Sequence, residues 1–268
     1  MRQWGWWVCE SILRMLSTPV ISIVTATWQC AATVGDCLRS VASQTWASRE
    51  HVVIDGGSRD GTLDLLQRHR DGLSALVSEP DGGLYDALNK GIARCSGEVV
   101  GFLHADDVYA DDAVLARVAD CFADRAVDVV YGDLQYVRRD DTTRVVRHWR
   151  SSAFTPRRLA WGWMPPHPTL FVRRRSYAQI GGFDTSYRIA ADYDFILRLF
   201  SQPGLRAVHL PQVLVKMRVG GASNRSLGNI LRKSAEDWRA LRRTPVGAFG
   251  GLGALAWKNL GKLGQFRG

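Results

Sequence analysis

The chain has 268 residues, of which 46% are apolar and 23% charged, so it can bury one large core or two modest ones and is not expected to be disordered. Its five cysteines are scattered and form no CxxC pair, which argues against a disulfide framework or a zinc knuckle and fits a reducing compartment. The net charge of +9 is uneven, because residues 201–268 hold twelve basic and two acidic side chains and the remaining body is close to neutral.

Residues 1–18 form an amphipathic segment. Its apolar side chains fall on one helical stripe, made of Trp4, Trp7, Val8, Ile12, Met15 and Leu16. No secretory signal is convincing, and no stretch of about 18 uninterrupted apolar residues predicts a spanning helix. The stripe suits a membrane interface, packing on the protein's own body, or a start codon assigned too early.

From Pro19 onward, short apolar runs alternate with amphipathic stretches. The predicted strands are Val20–Thr25, Glu50–Asp55, Leu73–Ser78 and Val99–Leu103. The helix faces between them are marked by apolar residues within 34–41, 63–66 and 84–92. This alternation predicts an α/β fold in which a mostly parallel sheet carries helices on both faces. Ligands of such sheets bind beyond the carboxyl ends of the strands, where Asp55 and the run His104–Asp107 stand.

After about residue 125 the pattern changes to meandering strands with charged turns. These strands are predicted at Val127–Tyr131, Gln135–Val137 and Thr143–Trp149. Trp161–Pro168 is predicted as a loop, because its three prolines remove backbone donors and fix φ. One more amphipathic helix follows at Tyr193–Phe200. We expect one catalytic domain over residues 19–225 and a basic helical extension over residues 226–268.

Carboxylates at three places are candidates for chemistry. Asp106 and Asp107 directly follow an apolar strand and suit a hard divalent cation that holds a diphosphate, although Asp pairs are also common in turns and caps. Asp55, before two glycines, suits hydrogen bonds from a ribose or a base edge, or a simple turn. Asp192 stands at the start of a predicted helix, where Asp is favoured as a cap. Residue types alone leave both interpretations open at each position.

Taken together, these motifs resemble the family-2 glycosyltransferases, which are inverting enzymes with the GT-A fold. The resemblance covers roughly residues 19–225 and is closest to the branch that builds bacterial exopolysaccharides, O-antigens and cell-envelope glycolipids. The runs that carry it are Ser22–Trp28, Val53–Thr62, Glu79–Gly91, Ser96–Glu98, Phe102–Asp107, Tyr131–Asp133, His167–Thr169, Gly181–Asp184 and Ala191–Arg198. It implies a Rossmann-like GT-A sheet and transfer of a hexosyl or deoxyhexosyl group from a UDP, GDP or dTDP sugar.

The same resemblance implies roles on the donor side of the site. Thr27, Asp55 and Asp81 would line the nucleoside pocket, with Lys90 near the same ligand. Asp106 would be the surviving acid of the metal-binding DxD motif, and its divalent cation would neutralise the departing diphosphate.

The resemblance also implies the catalytic step. Asp192 occupies the position of the family's catalytic base, which would deprotonate a hydroxyl of a saccharide or of a polyprenyl-diphosphate-linked acceptor. A competing enzyme class is the sugar nucleotidyltransferases, but residues 25–30 lack their glycine-rich phosphate loop. A non-catalytic, envelope-associated GT-A scaffold is the other alternative, and the joint presence of Asp55, Asp106 and Asp192 argues against it.

Three positions near these motifs need separate interpretation. His104 replaces the first acid of DxD, and since imidazole suits Mn²⁺ better than Mg²⁺, we expect a preference for manganese unless His104 only hydrogen-bonds nearby. Gly220 stands where many relatives carry a histidine, so a second protein ligand is not expected. His167 lies in the proline-rich loop on the expected acceptor side and suits either contact with acceptor or diphosphate, or a buried structural role.

The end of the chain interleaves aromatic and basic side chains over Leu227–Gly268. A basic amphipathic helix suits an anionic membrane surface, and a solvated helical face is the alternative. Such charge attracts any polyanion, but no recognised motif predicts nucleic-acid binding. We therefore expect a cytoplasmic protein that associates peripherally with the inner face of the cell membrane.

Overall fold

The computed structural model describes residues 18–220 and 227–244. The amphipathic stripe within residues 1–17, the loop 221–226 and the end of the basic extension, residues 245–268, lie outside the described residues. Within the described ranges, no helix is both long enough and apolar enough to cross a membrane.

The described residues form a mixed α/β fold, as the sequence predicts. The strands are β1 (Ile21–Thr27), β2 (Arg49–Asp55), β3 (Ala75–Ser78), β4 (Val99–Phe102), β5 (Val108–Tyr109), β6 (Val129–Val137), β7 (Val145–Trp149), β8 (Phe171–Arg173) and β9 (Ala207–Arg218). The helices are α1 (Val34–Ala42), α2 (Thr62–Arg68), α3 (Leu84–Arg94), α4 (Val114–Phe122), α5 (Pro156–Ala160), α6 (Arg174–Ile180), α7 (Ala191–Phe200) and α8 (Leu227–Arg242). Short 3₁₀ turns lie at Arg70–Gly72 and His167–Thr169.

One sheet joins the strands in the order β3-β2-β1-β4-β8-β6-β9-β5, with β7 paired to β6. The first four strands are parallel neighbours, which puts the carboxyl ends of β1, β2, β3 and β4 at one edge. β8 is antiparallel to both β4 and β6, whereas β6 and β9 run parallel. The parallel half is the one that the alternating strand and helix pattern predicts.

The second half contains four elements that were not predicted, namely α5, β8, α6 and β9, and one predicted interruption is absent. The two strands predicted at 127–131 and 135–137 are one continuous strand, β6. β9 was not predicted, because Pro211 interrupts its apolar run; its pairing with β6 changes register where Leu210 is opposite Gly132 and Val213 is opposite Asp133.

Apolar side chains fill both faces of the sheet. One cluster joins Val24, Val52 and Ile54 to side chains of α3 and α7, and the other joins Ile21 and Ile23 to side chains of α1 and α4. α3 lies especially close to β1: a Cβ at Gly91 would overlap Val24 Cγ1. The sheet is therefore covered on both sides, and its polar edge is left for ligands.

Helix α8 packs on the rest of the fold. It contacts α7, and its Ala240 and Leu241 are fully buried in the same cluster as the apolar face of α7. This part of the basic extension expected after residue 225 therefore contributes to the main core.

Candidate active site

A cavity of about 2160 Å³ opens at the carboxyl ends of the parallel strands. Its wall there consists of the turns Trp28–Cys30, Pro80–Asp81 and His104–Asp107, which follow β1, β3 and β4. It is also lined by the proline-rich loop with His167 and by Asp192 of α7. The volume exceeds that of an ordinary small-molecule pocket, so it can hold two substrates together.

Asp55 lies under this cavity and does not line it. Its fully buried carboxylate accepts hydrogen bonds from the hydroxyls of Thr27 (2.9 Å), Ser58 (2.6 Å) and Ser78 (2.7 Å) and from the backbone N–H groups of Gly57 (3.1 Å) and Ser58 (2.9 Å). Burial alone would raise the pKa of Asp55, but these bonds outweigh it and hold the pKa below its usual value. Asp55 thus ties together the turns that end β1, β2 and β3, whereas Thr27 itself reaches the cavity wall.

Asp81 faces the cavity and Lys90 does not. The Asp81 carboxylate accepts the N–H of Gly83 at 2.8 Å and lies against Gly56, where a Cβ would come within 2.7 Å of Asp81 Oδ2. Lys90 Nζ instead lies 2.9 Å from Glu79 Oε1 and 3.3 Å from Asp86 Oδ2, so these two acids hold it outside the lining of the cavity. Of the expected nucleoside contacts, the structure brings Thr27 and Asp81 into the cavity and leaves Asp55 and Lys90 out.

The two adjacent acids after β4 have different surroundings. Asp107 is buried and accepts the N–H of Arg218 at 3.1 Å on one oxygen, while its other oxygen has no hydrogen-bond partner. Burial raises the pKa of Asp107 well above its usual range. Arg218 also donates to the Asp106 carbonyl at 2.6 Å, which fixes the turn and leaves the half-buried Asp106 carboxylate on the cavity wall.

Residues 18–220 and 227–244 contain no group of three His, Cys, Asp or Glu side chains arranged to hold a metal ion. A divalent cation nevertheless fits at Asp106, since such ions are commonly held by one or two carboxylates together with substrate phosphates and water. A cation at this site would therefore depend on the diphosphate of a ligand.

His104, His167 and Asp192 form a continuous chain of contacts. His104 Nε2 lies 3.1 Å from His167 Nε2, and His167 Nδ1 lies 3.3 Å from Asp192 Oδ2. Burial lowers the pKa of His167, and burial together with the neighbouring His167 lowers the pKa of His104 to about 4, so both rings are neutral at neutral pH. The contacts assign His167 its proton on Nδ1, facing the carboxylate, and leave its Nε2 to accept from His104.

The base candidate is not a helix cap. The N-cap of α7 is Ala190, which offers no side-chain hydrogen bond, and Asp192 stands in the first turn facing the cavity. Tyr85 lies beside it: its hydroxyl donates to the Ile189 carbonyl at 2.6 Å and lies 3.4 Å from Asp192 Oδ1. Tyr85 was not singled out from the sequence, because it precedes Asp192 by 107 residues and only the fold brings them together.

Basic and aromatic side chains also line the cavity. They include Arg147, Arg150, Arg157, Arg158 and Trp161. Trp161 is 57% exposed, so its indole is available to a ligand. The cavity lining thus combines carboxylates and histidines with guanidinium groups and an exposed aromatic ring.

The amino-acid pattern agrees with this geometry. The profile of the family described as Glycosyl transferase family 2 matches residues 22–181, more than half of the chain. The chain belongs to this family. Asp192 lies beyond the matched residues, so its assignment depends on its position in the fold.

This family-2 glycosyltransferase has curated relatives among bacterial enzymes. It is 35% identical over 214 residues to the PGL/p-HBAD biosynthesis glycosyltransferase of Mycobacterium bovis, covering 78% of this chain and 81% of that protein. It is 30% identical over 233 residues to the O-antigen biosynthesis protein RfbC of Myxococcus xanthus, covering 82% of this chain but 17% of that protein.

Solved structures share the fold of this glycosyltransferase. S. aureus TarS in complex with UDP has a TM-score of 0.61 at 18% identity, over 84% of this chain and 66% of that chain. The chain spans 39% of a longer TarS chain of similar fold. The mannosyltransferase PcManGT from Pyrobaculum calidifontis, in complex with GDP-Man and Mn²⁺, has a TM-score of 0.64 at 20% identity, over 92% and 72% of the two chains. These likenesses show the fold.

Proposed function

We propose that this glycosyltransferase transfers a hexosyl or deoxyhexosyl group from a nucleoside diphosphate sugar to an acceptor hydroxyl with inversion, Asp192 acting as the general base. The observation that carries the proposal is that Asp106 and Asp192 line one cavity. His104, which belongs to the same turn as Asp106, contacts His167 at 3.1 Å, and His167 contacts Asp192 at 3.3 Å, so the donor-side acid and the base candidate border one space.

The donor would occupy the end of the cavity at the strand edge. Thr27 and Asp81 offer polar contacts for a nucleoside, and Trp28, which is 68% exposed, presents an indole on which a base can stack. Asp55 supports this wall from beneath through its bonds to Thr27 and Ser58. Relatives of the same fold bind UDP or GDP-Man, which supports a nucleotide-sugar donor in this chain.

Asp192 would accept the proton of the acceptor hydroxyl as that oxygen attacks the anomeric carbon. The attack comes from the face opposite the leaving diphosphate, so one displacement inverts the configuration. His167 faces Asp192 Oδ2 and orients the carboxylate, while Tyr85 approaches Oδ1. Asp192 can thereby present a lone pair to the cavity from a fixed position.

A divalent cation bound by Asp106 and the donor's diphosphate would neutralise charge on the leaving group. The PcManGT complex with Mn²⁺ supports the use of such a metal. A preference for Mn²⁺ over Mg²⁺ would require His104 as a ligand, but its Nε2 already contacts His167. We therefore propose the cation at Asp106 and give His104 no ligand role through Nε2.

The acceptor would bind against the basic and aromatic side chains of the cavity lining. Guanidinium groups of Arg150 and Arg157 suit a phosphate or carboxylate, and Trp161 suits a sugar ring or an apolar chain. The names of the Mycobacterium bovis and Myxococcus xanthus relatives support a cell-envelope glycan or glycolipid product. We propose a saccharide or polyprenyl-diphosphate-linked acceptor, used by a cytoplasmic enzyme at the inner face of the membrane.

The substitution Asp192→Asn tests the base. It keeps the shape of the side chain and removes its ability to take a proton, so we expect donor binding within about twofold of wild type and turnover reduced by about 100-fold or more. Donor binding is measured by calorimetry with UDP-glucose, GDP-mannose and dTDP-rhamnose, and turnover by release of the nucleoside diphosphate. Normal turnover of Asp192→Asn would refute the base, and absence of donor binding by the wild type would favour the non-catalytic scaffold.

A further inference from the structure

The segment that leads into the catalytic helix is held by a distant side chain. Glu236 of α8 accepts the backbone N–H of Arg188 at 3.1 Å on Oε1, and those of Ile189 at 2.8 Å and Ala190 at 2.9 Å on Oε2. α7 begins at the next residue, Ala191, and has no side-chain cap of its own. One carboxylate therefore binds three N–H groups at the start of the helix that carries Asp192, at the end where the helix dipole favours a negative charge.

A side chain of α3 also holds this segment by a hydrogen bond. The Tyr85 hydroxyl donates to the Ile189 carbonyl at 2.6 Å, so both the N–H and the C=O of Ile189 are bonded to side chains of other helices. The first bond within α7 runs from the Asp194 N–H to the Ala190 carbonyl at 3.0 Å. The rotation of the first turn, where Asp192 lies, is thus set through residues 189 and 190.

We propose that Glu236 is a positioning residue for the catalytic base, fixing the Asp192 carboxylate by holding residues 188–190 against α8. The proposal rests on the proposed function, because it takes Asp192 as the base. It assigns an active-site role to a helix that lies beyond the residues matched by the family profile.

A second feature of α8 points to the same role. Lys233, one turn before Glu236, lines the cavity, and its charge acts on His167, the imidazole that contacts Asp192. Its Nζ is held 2.9 Å from the buried Asp237 carboxylate. α8 therefore supports the base through Glu236 and borders the reaction space with Lys233. A local cap on α7 would stabilise that helix equally well, but it would not couple the base to α8.

The test compares Glu236→Gln, which keeps one acceptor oxygen, with Glu236→Ala, which keeps none. The control is Glu98→Gln, which removes an exposed carboxylate that pairs with the buried Arg173 outside the cavity lining. Measurements on the full chain are hydrogen exchange of the amides of residues 188–190, affinity for the donor among UDP-glucose, GDP-mannose and dTDP-rhamnose that binds the wild type, and kcat for release of its nucleoside diphosphate.

We expect Glu236→Ala to speed exchange at residues 188–190 at least tenfold and to lower kcat by about 10- to 100-fold, with donor affinity within twofold of wild type. Glu236→Gln should fall between, and Glu98→Gln should match the wild type. Because Glu236 acts through Asp192, adding Glu236→Ala to Asp192→Asn should cost no further activity. A merely structural role would lower activity equally in both backgrounds.

The proposal is overturned if exchange at residues 188–190 is unchanged, or if exchange accelerates in Glu236→Gln while kcat stays within twofold of wild type. Exchange needs no substrate, so it decides the hydrogen bonds independently of turnover. A fully active Asp192→Asn would instead overturn the proposed function and this proposal with it, which separates the two failures.

Discussion

The hydrogen bonds that the Asp55 carboxylate accepts lead to a quantitative prediction about stability. Removing its carboxylate by Asp55→Ala leaves five hydrogen-bond donors without their acceptor. The Ser78 hydroxyl is exposed and the Gly57 N–H is half-buried, so water can replace the carboxylate there, but Thr27 and Ser58 are buried. Three buried donors remain, namely the hydroxyls of Thr27 and Ser58 and the Ser58 N–H; at about 1.3 kcal/mol each, near the lower limit for an unsatisfied buried group, they give a loss of about 4 kcal/mol in the free energy of unfolding.

The free energy of unfolding is measured by urea-induced unfolding and Tm by thermal unfolding, both followed by far-UV circular dichroism. For a chain of this size a loss of about 4 kcal/mol lowers Tm by about 12 °C, and Asp55→Asn, which keeps one oxygen, should lose about half as much. The pKa of Asp55 is lowered in the fold, so its contribution is present above about pH 4, the unfolded value, and is lost as pH falls through the folded value. The deficit of Asp55→Ala should therefore shrink in acid.

Asp81→Ala is the matched control. Asp81 lines the cavity and accepts the N–H of Gly83, so this variant should unfold within about 1 kcal/mol of wild type while its donor affinity falls. The reasoning fails if Asp55→Ala is as stable as Asp81→Ala and loses donor affinity to the same extent. In that case Asp55 would be a ligand of the nucleotide and not the tie between strand ends.

Two further predictions concern the effect of pH on stability and the effect of metal ions on donor binding. Burial lowers the pKa of His51 to about 3, so folding opposes its protonation: the contribution of His51 to stability is full above pH 6.5 and falls by about 2 kcal/mol by pH 5. In urea titrations at each pH, His51→Asn should reduce the loss of stability between pH 6.5 and pH 5 by about this amount. Chelation with EDTA should weaken donor binding in calorimetry, and adding Mn²⁺ or Mg²⁺ should restore it equally in wild type and His104→Gln. A loss of the metal response only in His104→Gln would identify His104 as a ligand.

Prediction from the sequence was best where a single strand determines the position of a residue. Parallel strands bring their carboxyl ends to one edge, so the position of Asp106 after β4 follows from its own apolar run. Asp192 was also placed at the start of a helix, but the local pattern favoured a cap there, and the structure puts it in the first turn of α7 with Ala190 as the N-cap. The local pattern therefore gives the position of Asp192 along the chain and not the contacts of its carboxylate.

Prediction was weaker where the environment of a side chain is assembled from distant segments. Glu79 and Asp86 form ion pairs with Lys90 and hold its ammonium group outside the cavity lining. Whether these acids reach Lys90 depends on the path of the turn before α3. His104 and His167 are separated by 63 residues, and Glu236 follows the peptide groups it binds by 46 to 48 residues. Such pairs have no periodic signature, since nothing in the local pattern of either segment requires the other.

The prolines around His167 have a consequence for how this enzyme adapts to substrates. Pro165, Pro166 and Pro168 are buried and restrict φ in the unfolded chain as well, so the loop gives up little freedom on folding. The wall beside Asp192 is therefore preorganised before any sugar arrives. Arg157 and Trp161 also line the cavity but are exposed, so their side chains can change rotamer. The lining can therefore adjust to ligands of different size at these two side chains while the proline-rich wall stays fixed.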